Sequence, residues 1–340
     1  MEEMKPLLAK VADGKCLSQQ EAADAFDIIL SGEASPAQMA ALLMGLRLRG
    51  ETVEEITGAV SKMREKMLRV DAPEDVVDIV GTGGTGTKKY NISSCSAVVM
   101  AAGGVKVAKH GNRAVSSLSG SGDVLSTLGV NLQQDSAGVT RCIEEAGIGF
   151  MFAPNHHTAM RFVGPTRVEL GIRTIFNLIG PLSNPAGATR QVLGVYDPKW
   201  LVPFAETLRN LDGKFIWAVY GAGGLDEIST LGETQVAQLK DGEITEFTLV
   251  PEDYGIKRVT IEDVRGGDCQ HNAKALTAVL EGEKGAYRDI VLMNAAAGLL
   301  LGDKVSDYKE GIALAAELID SGKALATLNK LVEVSNRAAD

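Results

Sequence analysis

The feature that most constrains the fold is a buried-type strand that leads into a glycine-rich loop and then a helix. VVDIV (76–80) precedes GTGGTGTKKY, the helical stretch SSCSAVVMAAGG and a second strand, VKVA (105–108). Similar strand signals recur in GIGFMFA (147–153), QVLGVY (191–196), FIWAVYG (215–221) and the KRVTIED region (257–263). Because helical stretches lie between these strands, the pattern predicts an α/β domain with a central, mostly parallel sheet flanked by helices.

The first 70 residues have a different texture, with apolar residues at helical spacing and no strand pattern. Three helix starts are marked by Ser18-x-x-Glu21, Ser35-Pro36 and Thr52-x-x-Glu55. Asp71-Ala72-Pro73 then interrupts the helical run. The sequence therefore predicts a small all-helical domain, 1–70.

We expect residues 74–340 to form the larger α/β domain, with hinges near 71–76 and around 157–190. The segment 157–182, HTAMRFVGPTRVELGIRTIFNLIGPL, is long and helix-like. We expect it to pack on the N-terminal helices rather than on the sheet.

Composition excludes several classes of protein. A formal charge of −10 over 340 residues argues against broad binding to nucleic acid or to anionic membranes. The four cysteines lie far apart and form no C-x-x-C pair, which disfavours zinc and redox sites. No signal-peptide layout or long apolar run occurs. These features predict a soluble protein of the cytoplasm.

The glycine-rich loop satisfies the spacing Gly81-x-Gly83-x-x-Gly86 of a dinucleotide-binding motif. That motif requires an acidic residue about 20 positions further on, at the end of the second strand. Lys109-His110-Gly111-Asn112-Arg113 stands there instead. A P-loop is excluded as well, because Thr87 rather than lysine follows Gly86.

The same segments suit a polyphosphate. Parallel strands end at one edge of a sheet, so the glycine loop and the KHGNR cluster are expected to face one crevice. The helix start at Asn91 to Ser94 offers free N–H groups, and Lys109 and Arg113 offer positive charge. SSLSGSGD (116–123) adds hydroxyl groups. Taken singly, each segment is equally consistent with a turn or a solvated surface.

Downstream, GAGG (221–224) leads to Leu225-Asp226-Glu227-Ile228-Ser229. Adjacent carboxylates after a strand and a flexible loop suit Mg²⁺, which prefers oxygen ligands and usually contacts substrate phosphates. An isolated Asp-Glu pair is more often solvated surface, so the magnesium interpretation depends on the neighbouring phosphate site.

These motifs, taken in order, resemble the anthranilate phosphoribosyltransferase family of tryptophan biosynthesis. The motifs that carry the resemblance are GTGG-x-G, YNISS, VAKHGNR, SGSGD, FAPNHH, RTIFNLIGPL and GLDEIS. The similarity covers nearly the whole chain, as far as NAAAGLL and the closing helices. It implies a nucleoside phosphorylase/phosphoribosyltransferase-like fold, with a helical domain that forms a homodimer. The implied reaction transfers phosphoribose from PRPP (phosphoribosyl pyrophosphate) to anthranilate.

The resemblance also assigns site residues. It implies PRPP binding by Gly81, Gly83, Gly84, Asn91, Ser93, Ser94, Lys109, Ser117 and Ser121. It implies Mg²⁺ binding by Ser93, Asp226 and Glu227. It implies anthranilate binding by Gly83, His110, Asn112, His157, Arg167 and Gly180.

Three residues are candidates for the chemistry itself. Lys109 would stabilise the departing pyrophosphate, Arg167 would bind the anthranilate carboxylate, and His110 would accept or relay the amine proton. Several residues of the proposed site also have structural alternatives: His156 and His157 could cap a helix or pack in the core, Arg167 could pair with Glu169 or another carboxylate, and Asn112 could serve a plain turn.

The chain departs from the family pattern at several positions, which are Thr85 for aspartate, Lys89 for a small hydroxyl residue, Tyr90 for Phe, Ser94 for Thr and Gly122 for alanine. The more positive loop predicts altered pyrophosphate affinity and Mg²⁺ dependence rather than a different reaction.

Thr166 leaves open a paralogue that uses another aromatic acceptor. A pyrimidine nucleoside phosphorylase would lack KHGNR, and a non-catalytic nucleic-acid-binding relative would carry a basic surface and a degraded acidic pair.

Overall fold

The N-terminal part is entirely helical, as the sequence predicts. The computed structural model describes residues 2–83, 86, 88–114 and 118–338. Its first four helices are α1 (Met4–Ala12), α2 (Gln19–Leu30), α3 (Pro36–Arg49) and α4 (Val53–Lys66). Reciprocal capping boxes begin α2, α3 and α4, at Ser18, Ser35 and Thr52. Each box satisfies backbone donors that the first helical turn leaves unpaired.

The rest of the chain alternates strands and helices before ending in four helices. In chain order the elements are β1 (Val77–Gly81), α5 (Ile92–Ala102), β2 (Val107–Gly111), α6 (Ser121–Thr127), α7 (Ser136–Ala146), β3 (Ile148–Phe152), α8 (Ala153–His156), α9 (Gly164–Leu170), α10 (Phe176–Ile179), β4 (Arg190–Gly194), α11 (Leu201–Asn210), β5 (Phe215–Gly221), β6 (Thr234–Lys240), β7 (Glu243–Leu249), α12 (Cys269–Leu280), α13 (Ala286–Leu301), α14 (Tyr308–Asp320) and α15 (Lys323–Ser335).

The strands of the described residues form one sheet in the order β3-β2-β1-β4-β5-β6-β7. Pairing is parallel from β3 to β5 and antiparallel for β6 and β7. The predicted fold class, a helical domain beside an α/β domain with a mostly parallel sheet, is confirmed. The domain limits and hinges remain predictions.

One predicted strand is wrong. In the KRVTIED region, residues 256–260 have no regular structure and Ile261–Val264 form a 3₁₀ helix. The strands that complete the sheet are β6 and β7, joined by Asp241-Gly242, both with positive φ. Because Asp-Gly favours the two-residue turn of a β-hairpin, this dipeptide was the available signal for both strands.

The segment 157–182 is not one long helix. It divides into a 3₁₀ helix, Thr158–Phe162, and the short helices α9 and α10. Pro165 starts α9 and Gly171, with φ of 60°, ends it, because glycine tolerates the left-handed conformation. The pieces pack on α2, α3 and α4, so the predicted contact with the N-terminal helices is present.

Alternate side chains of the sheet supply two hydrophobic cores. Val192, Trp217 and Val236 pack in one core with α5 and α13. Their sequence neighbours Leu193, Ile216 and Ala237 pack in the other core, with α11 and the N-terminal helices. This two-residue period is what a sheet buried on both faces requires. Within the described ranges, no helix is long and apolar enough to cross a membrane.

Candidate active site

The site lies where the parallel strands end. A Cβ on Gly81, at the end of β1, would lie 2.3 Å from Asp226 Oδ2. A Cβ on Gly194, at the end of β4, would lie 1.7 Å from the Asp226 carbonyl oxygen. Glycine at both strand ends therefore lets the segment after β5 cross directly over them.

A tight turn brings that segment back across the sheet. Gly223 and Gly224 both have positive φ, and Gly221 and Leu225 form an isolated antiparallel bridge. On the far side of the acidic pair, buried Asn294 of α13 accepts a hydrogen bond from Ile228 N–H at 3.0 Å and donates one to Ile228 O at 2.8 Å. The backbone on both sides of Asp226 and Glu227 is thus fixed.

The loop, the strand ends and the acidic pair enclose a charged cavity of about 280 Å³. Of the predicted site residues, those that line it are Gly81, Gly83, Asn91, Ser93, Lys109, His110, Asn112, Ser121, Asp226 and Glu227. The predicted convergence of the glycine loop and the KHGNR cluster on one crevice is therefore present. Lys88 and Lys89 line the same cavity.

Lys109 is buried beneath this cavity. Its ammonium donates to Ile79 O at 2.7 Å and to Ser93 Oγ at 3.2 Å. Burial lowers the pKa of Lys109 to about 8, although the negative charges of Asp78 and Glu227 oppose that shift. The group is still largely protonated at neutral pH, so it provides a desolvated positive charge at the cavity floor.

Asp78 is the buried carboxylate behind Lys109. It accepts hydrogen bonds from His110 N–H at 3.1 Å and from Asn184 Nδ2 at 2.8 Å. Burial raises the pKa of Asp78 to about 6, against the attraction of Lys109. The sequence pattern predicts Asp78 only as part of a strand. The signal for its role was a carboxylate inside an otherwise apolar strand, because a buried charge requires partners.

The acidic pair is held by a lysine. Lys89 Nζ contacts Asp226 Oδ1 and Glu227 Oε2, and Gly83 N–H donates to Asp226 Oδ2 at 2.7 Å. Burial would lower the pKa of Lys89, but the two carboxylates outweigh it and raise the pKa above its usual range. Burial and the adjacent Asp226 raise the pKa of Glu227.

This donor set fits a divalent cation. Two buried carboxylates that already hold an ammonium group can hold a metal ion at the same oxygens. Among the described residues, no group of three His, Cys, Asp or Glu side chains is placed to hold a metal ion. A metal here would complete its coordination with a hydroxyl such as Ser93, with water and with substrate oxygens.

A second, more apolar cavity of about 560 Å³ adjoins the first. Its apolar lining includes Met63, Met160 and Phe176, and of the predicted acceptor residues it contains His110, Asn112, His157, Arg167 and Gly180. Gly83 lines the charged cavity instead. Gly81, His110 and Asn112 border both cavities, so a ligand in one can meet a ligand in the other there.

Arg167 supplies positive charge to the apolar cavity. Its guanidinium carbon lies 5.5 Å from the centroid of the Phe176 ring. None of the ion pairs among the described residues involves Arg167, so the alternative pairing with Glu169 is not present. Burial lowers the pKa of Arg167. An arginine in this setting suits a carboxylate ligand, which it can bind through two parallel hydrogen bonds.

Two buried histidines lie between the cavities. His110 Nε2 and His157 Nε2 are 3.2 Å apart, so one ring donates and the other accepts. Burial keeps the pKa of His110 well below its usual range and lowers that of His157 to about 4. Both rings are therefore neutral near pH 7. His156 Nδ1 donates to Leu68 O at 3.0 Å, which is the structural role considered for it.

Of the predicted phosphate-site residues, Asn91 and Ser121 line the charged cavity but also form hydrogen bonds within the protein, and Ser94 does not line the cavity. Asn91 precedes α5, and its side-chain oxygen accepts from Asn272. Ser121 Oγ donates to Asn112 O at 3.2 Å. Ser94 is buried within α5, and Lys109 and Ser93 rather than Ser94 line the cavity there. Gly84 and Ser117 lie outside the described residues, as does Thr85.

Two family models match the chain, one for each of its parts. The helical bundle domain of the glycosyl transferase family matches residues 5–67. The α/β domain of the same family matches residues 73–325. Fold and site together therefore define a glycosyltransferase.

Similar proteins narrow this class. The anthranilate phosphoribosyltransferase of Xanthobacter autotrophicus is 59% identical over 339 residues, 100% of this chain and 98% of that protein. The crystal structure of the Thermus thermophilus anthranilate phosphoribosyltransferase is 44% identical with a TM-score of 0.93, over 99% of this chain and 100% of that one. The chain belongs to the anthranilate phosphoribosyltransferase family, as its motifs predict.

Structures of a yeast relative contain ligands. The Saccharomyces cerevisiae anthranilate phosphoribosyltransferase in complex with PRPP and Mg is 30% identical with a TM-score of 0.89, over 98% of this chain and 97% of that one. The same yeast protein in complex with 4-fluoroanthranilate is 29% identical with a TM-score of 0.88, over the same shares of both chains.

Proposed function

We propose that this enzyme transfers the 5-phosphoribosyl group of PRPP to the amine of anthranilate, with release of pyrophosphate, in tryptophan biosynthesis. The observation that carries the proposal is the pair of adjoining cavities, one charged and one apolar, that share Gly81, His110 and Asn112. A sugar pyrophosphate fits the first and an aromatic acid the second. The shared border is where the ribose carbon meets the amine.

PRPP is assigned to the charged cavity. Backbone N–H groups of the glycine loop and of the α5 N-terminus attract phosphate oxygens, and Lys109 adds a full positive charge. The proposed contacts are Gly81, Gly83, Gly84, Asn91, Ser93, Ser94, Lys109, Ser117 and Ser121. Of these, Gly84 and Ser117 are proposed from the family motif alone.

Mg²⁺ is assigned to Ser93, Asp226 and Glu227. When bound, the ion would neutralise negative charge on the departing pyrophosphate. The chain itself fixes the carboxylates through Gly83 N–H and the Asn294 clamp on Ile228. This fixed geometry supports the metal position, because two buried carboxylates held side by side need a cation, which in this structure is the Lys89 ammonium group.

Anthranilate is assigned to the apolar cavity. Arg167 would bind its carboxylate, and the apolar lining would pack on the ring. His110, Asn112, His157 and Gly180 would border the acceptor, and Gly83 would approach it from the charged cavity. This arrangement turns the amine toward the cavity that holds the ribose.

The chemistry needs no covalent enzyme nucleophile. Lys109 and the loop N–H groups would stabilise charge that builds on pyrophosphate as the ribose C1–O bond breaks. The amine would then attack an oxocarbenium-like carbon held in line with it. His110 is neutral, because burial keeps its pKa well below the usual range, and it is the proposed acceptor of the amine proton.

We also propose that the enzyme is a homodimer formed through its helical part. Leu48 near the end of α3 and Val168 on α9 are 80% and 82% exposed, and these two helices contact each other. Large apolar side chains exposed to this extent on adjoining helices suit a protein interface.

The experiment that tests the function is identification of the product by mass spectrometry. Purified enzyme, PRPP and Mg²⁺ are incubated with anthranilate, with 3-aminobenzoate or with benzoate. We expect phosphoribosylanthranilate and pyrophosphate from anthranilate alone. Transfer to a different aromatic acid in preference to anthranilate would contradict the proposed acceptor. Absence of any transfer, with PRPP left intact, would contradict the reaction.

A further inference from the structure

The proposed metal site already contains a cation that belongs to the chain. Lys89 Nζ contacts one carboxylate oxygen of Asp226 and one of Glu227, and only 15% of the lysine side chain is exposed. The second oxygen of Asp226 accepts from Gly83 N–H at 2.7 Å. The ammonium group therefore occupies the oxygens that a divalent ion would use.

The position of Lys89 is fixed by its backbone. Lys89 forms an antiparallel bridge with Arg265. On either side, Gly266 N–H donates to Lys88 O at 3.0 Å and Tyr90 N–H donates to Val264 O at 3.1 Å. A Cβ on Gly266 would lie 2.4 Å from Lys89 O, so the two segments pack at a separation that only glycine permits.

We propose that Lys89 is a built-in counter-ion that a divalent cation must displace from Asp226 and Glu227 in order to bind. The inference rests on the proposed function, which places the metal on these carboxylates. An ammonium group and a metal ion cannot share the same oxygens, since their like charges repel at contact distance. The free enzyme therefore binds divalent ions weakly.

Displacement also couples the metal to the anionic substrate. Lys89 and Lys109 line one cavity, so the released ammonium group remains within the space assigned to pyrophosphate. There it finds a new negative partner only when that anion is present. Metal and pyrophosphate group should consequently each strengthen the binding of the other, because such coupling is reciprocal.

The test measures Mn²⁺ binding to substrate-free enzyme by electron paramagnetic resonance of the free ion. The variants are Lys89→Ser, which shortens the side chain, and Lys89→Gln, which keeps its bulk without the charge. Lys88→Ser is the matched control, since Lys88 is the exposed neighbour on the same loop and has the same charge. Mn²⁺ alone is the probe.

We expect both Lys89 variants to bind Mn²⁺ at least about tenfold more tightly than the unmodified enzyme, because the competing cation is gone. Lys88→Ser should leave the affinity close to its original value. Adding Asp226→Asn to Lys89→Ser should abolish the gain. Unchanged Mn²⁺ affinity in both Lys89 variants, or an equal gain in Lys88→Ser, would overturn the proposal.

Thermal unfolding, measured in EDTA and with Mn²⁺, tests the proposal even if the Lys89 variants fold poorly. Loss of Lys89 leaves two buried carboxylates without a counter-ion, so these variants should be destabilised in EDTA and recover stability with Mn²⁺. Failure of both variants to fold even with Mn²⁺ would show that metal cannot replace the ammonium group, and would overturn the proposal. Product formation by the unmodified enzyme is measured separately. If the Lys89 variants bind Mn²⁺ more tightly but the unmodified enzyme transfers no phosphoribosyl group, the proposed function is refuted while the displacement of Lys89 by a divalent ion still holds.

Discussion

Arg167 is the residue that we propose recognises the acceptor. It lines the apolar cavity beside Phe176, and no ion pair of the described residues engages it. For Arg167→Leu we expect the KM for anthranilate to rise by about 10- to 100-fold, the value of a charge-assisted hydrogen bond, while the KM for PRPP changes little. Steady-state kinetics with each substrate varied in turn measure both constants.

Arg161 offers a control within the same cavity. Its guanidinium lies over the Phe162 ring, 4.7 Å from the centroid, and the side chain is exposed. Arg161→Leu should therefore affect the KM for anthranilate much less than Arg167→Leu. Equal effects of the two substitutions would mean that general positive charge, rather than Arg167, attracts the acceptor.

The neutral histidine pair predicts a pH-dependent stability. The folded pKa of His157 is lowered to about 4, whereas in the unfolded chain it returns to about 6.5. The unfolded state therefore binds the proton first, and the contribution of His157 to stability is complete above pH 6.5 and falls as the pH drops toward 4. Between pH 6.5 and pH 5 the loss is about 2 kcal/mol.

Urea unfolding of the unmodified enzyme and of His157→Gln at pH 7 and pH 5 measures this loss. We expect the advantage of the unmodified enzyme over the variant to shrink by about 2 kcal/mol at the lower pH. Asp78 titrates in both proteins, so its contribution largely cancels in the comparison, whereas His110 loses its hydrogen-bond partner in the variant. A difference between the two proteins that is the same at both pH values would contradict a neutral, buried His157.

The sequence predicted site residues best where a motif combined charge with a strand end. Lys109 and His110 lie in the last residues of β2, Asn112 follows the strand, and all three line the predicted crevice. Asp78 and Asn294 were missed as supports, because their partners lie far away in the chain. Lys89 was predicted to add charge to the loop, but its contact with Asp226 depends on a crossing that sequence spacing does not show.

Among single elements, the start of α6 contains two glycines that differ in how closely they pack on neighbouring backbone. A Cβ on Gly120, just before the helix, would lie 2.4 Å from Ala114 N. A Cβ on Gly122, inside the first turn, would lie 3.4 Å from its nearest neighbours. Gly120→Ala should therefore destabilise the enzyme by about 1–3 kcal/mol, since backbone has to move. Gly122→Ala, which restores the family's usual residue, should be neutral or stabilise by up to about 1 kcal/mol.

Thermal and urea unfolding of the two alanine variants provide the comparison. Neither glycine has a positive φ, so a difference in stability between the two alanine variants cannot come from left-handed backbone strain. Similar free energies of unfolding for the two variants would contradict the close packing of Gly120 on residues 112–114.

Elements that carry their own local signals were predicted well. The capping boxes fixed the starts of α2, α3 and α4, and short apolar runs marked β1 to β5. The segment 157–182 was predicted to be long and helix-like, and the structure divides it into short helices at Gly164-Pro165 and Gly171. The KRVTIED region carries a strand signal, yet its backbone is irregular and then 3₁₀-helical, and Arg265, two residues beyond it, forms the bridge with Lys89.

At the scale of the whole molecule, the helical part and the α/β part share a continuous core. Side chains of α2, α3 and α4 belong to the same cluster as Leu193 and Ile216 of the sheet. In addition, Arg64 of α4 donates to Leu182 O at 2.9 Å. The apolar cavity is lined from both sides of this junction, by Met63 of α4 and by residues at the carboxyl ends of the strands.

The proposed homodimer belongs to this scale as well. Val168→Asp places a charge on an apolar side chain that is 82% exposed, where burial in an interface would make it costly. We expect sedimentation velocity to show dimers for the unmodified enzyme and monomers for the variant. Lys274→Asp, on the exposed surface of α12, should leave the dimer intact. A monomeric unmodified enzyme would contradict the proposal.

The proposed function requires that the two cavities bring PRPP and anthranilate together. It is tested most directly by following anthranilate fluorescence after PRPP and Mg²⁺ are added to the pure enzyme, with EDTA and Asp226→Asn as controls. We predict rapid loss of fluorescence that both controls abolish. Unchanged fluorescence, with PRPP binding still measurable by calorimetry, would contradict the assignment of anthranilate to the second cavity.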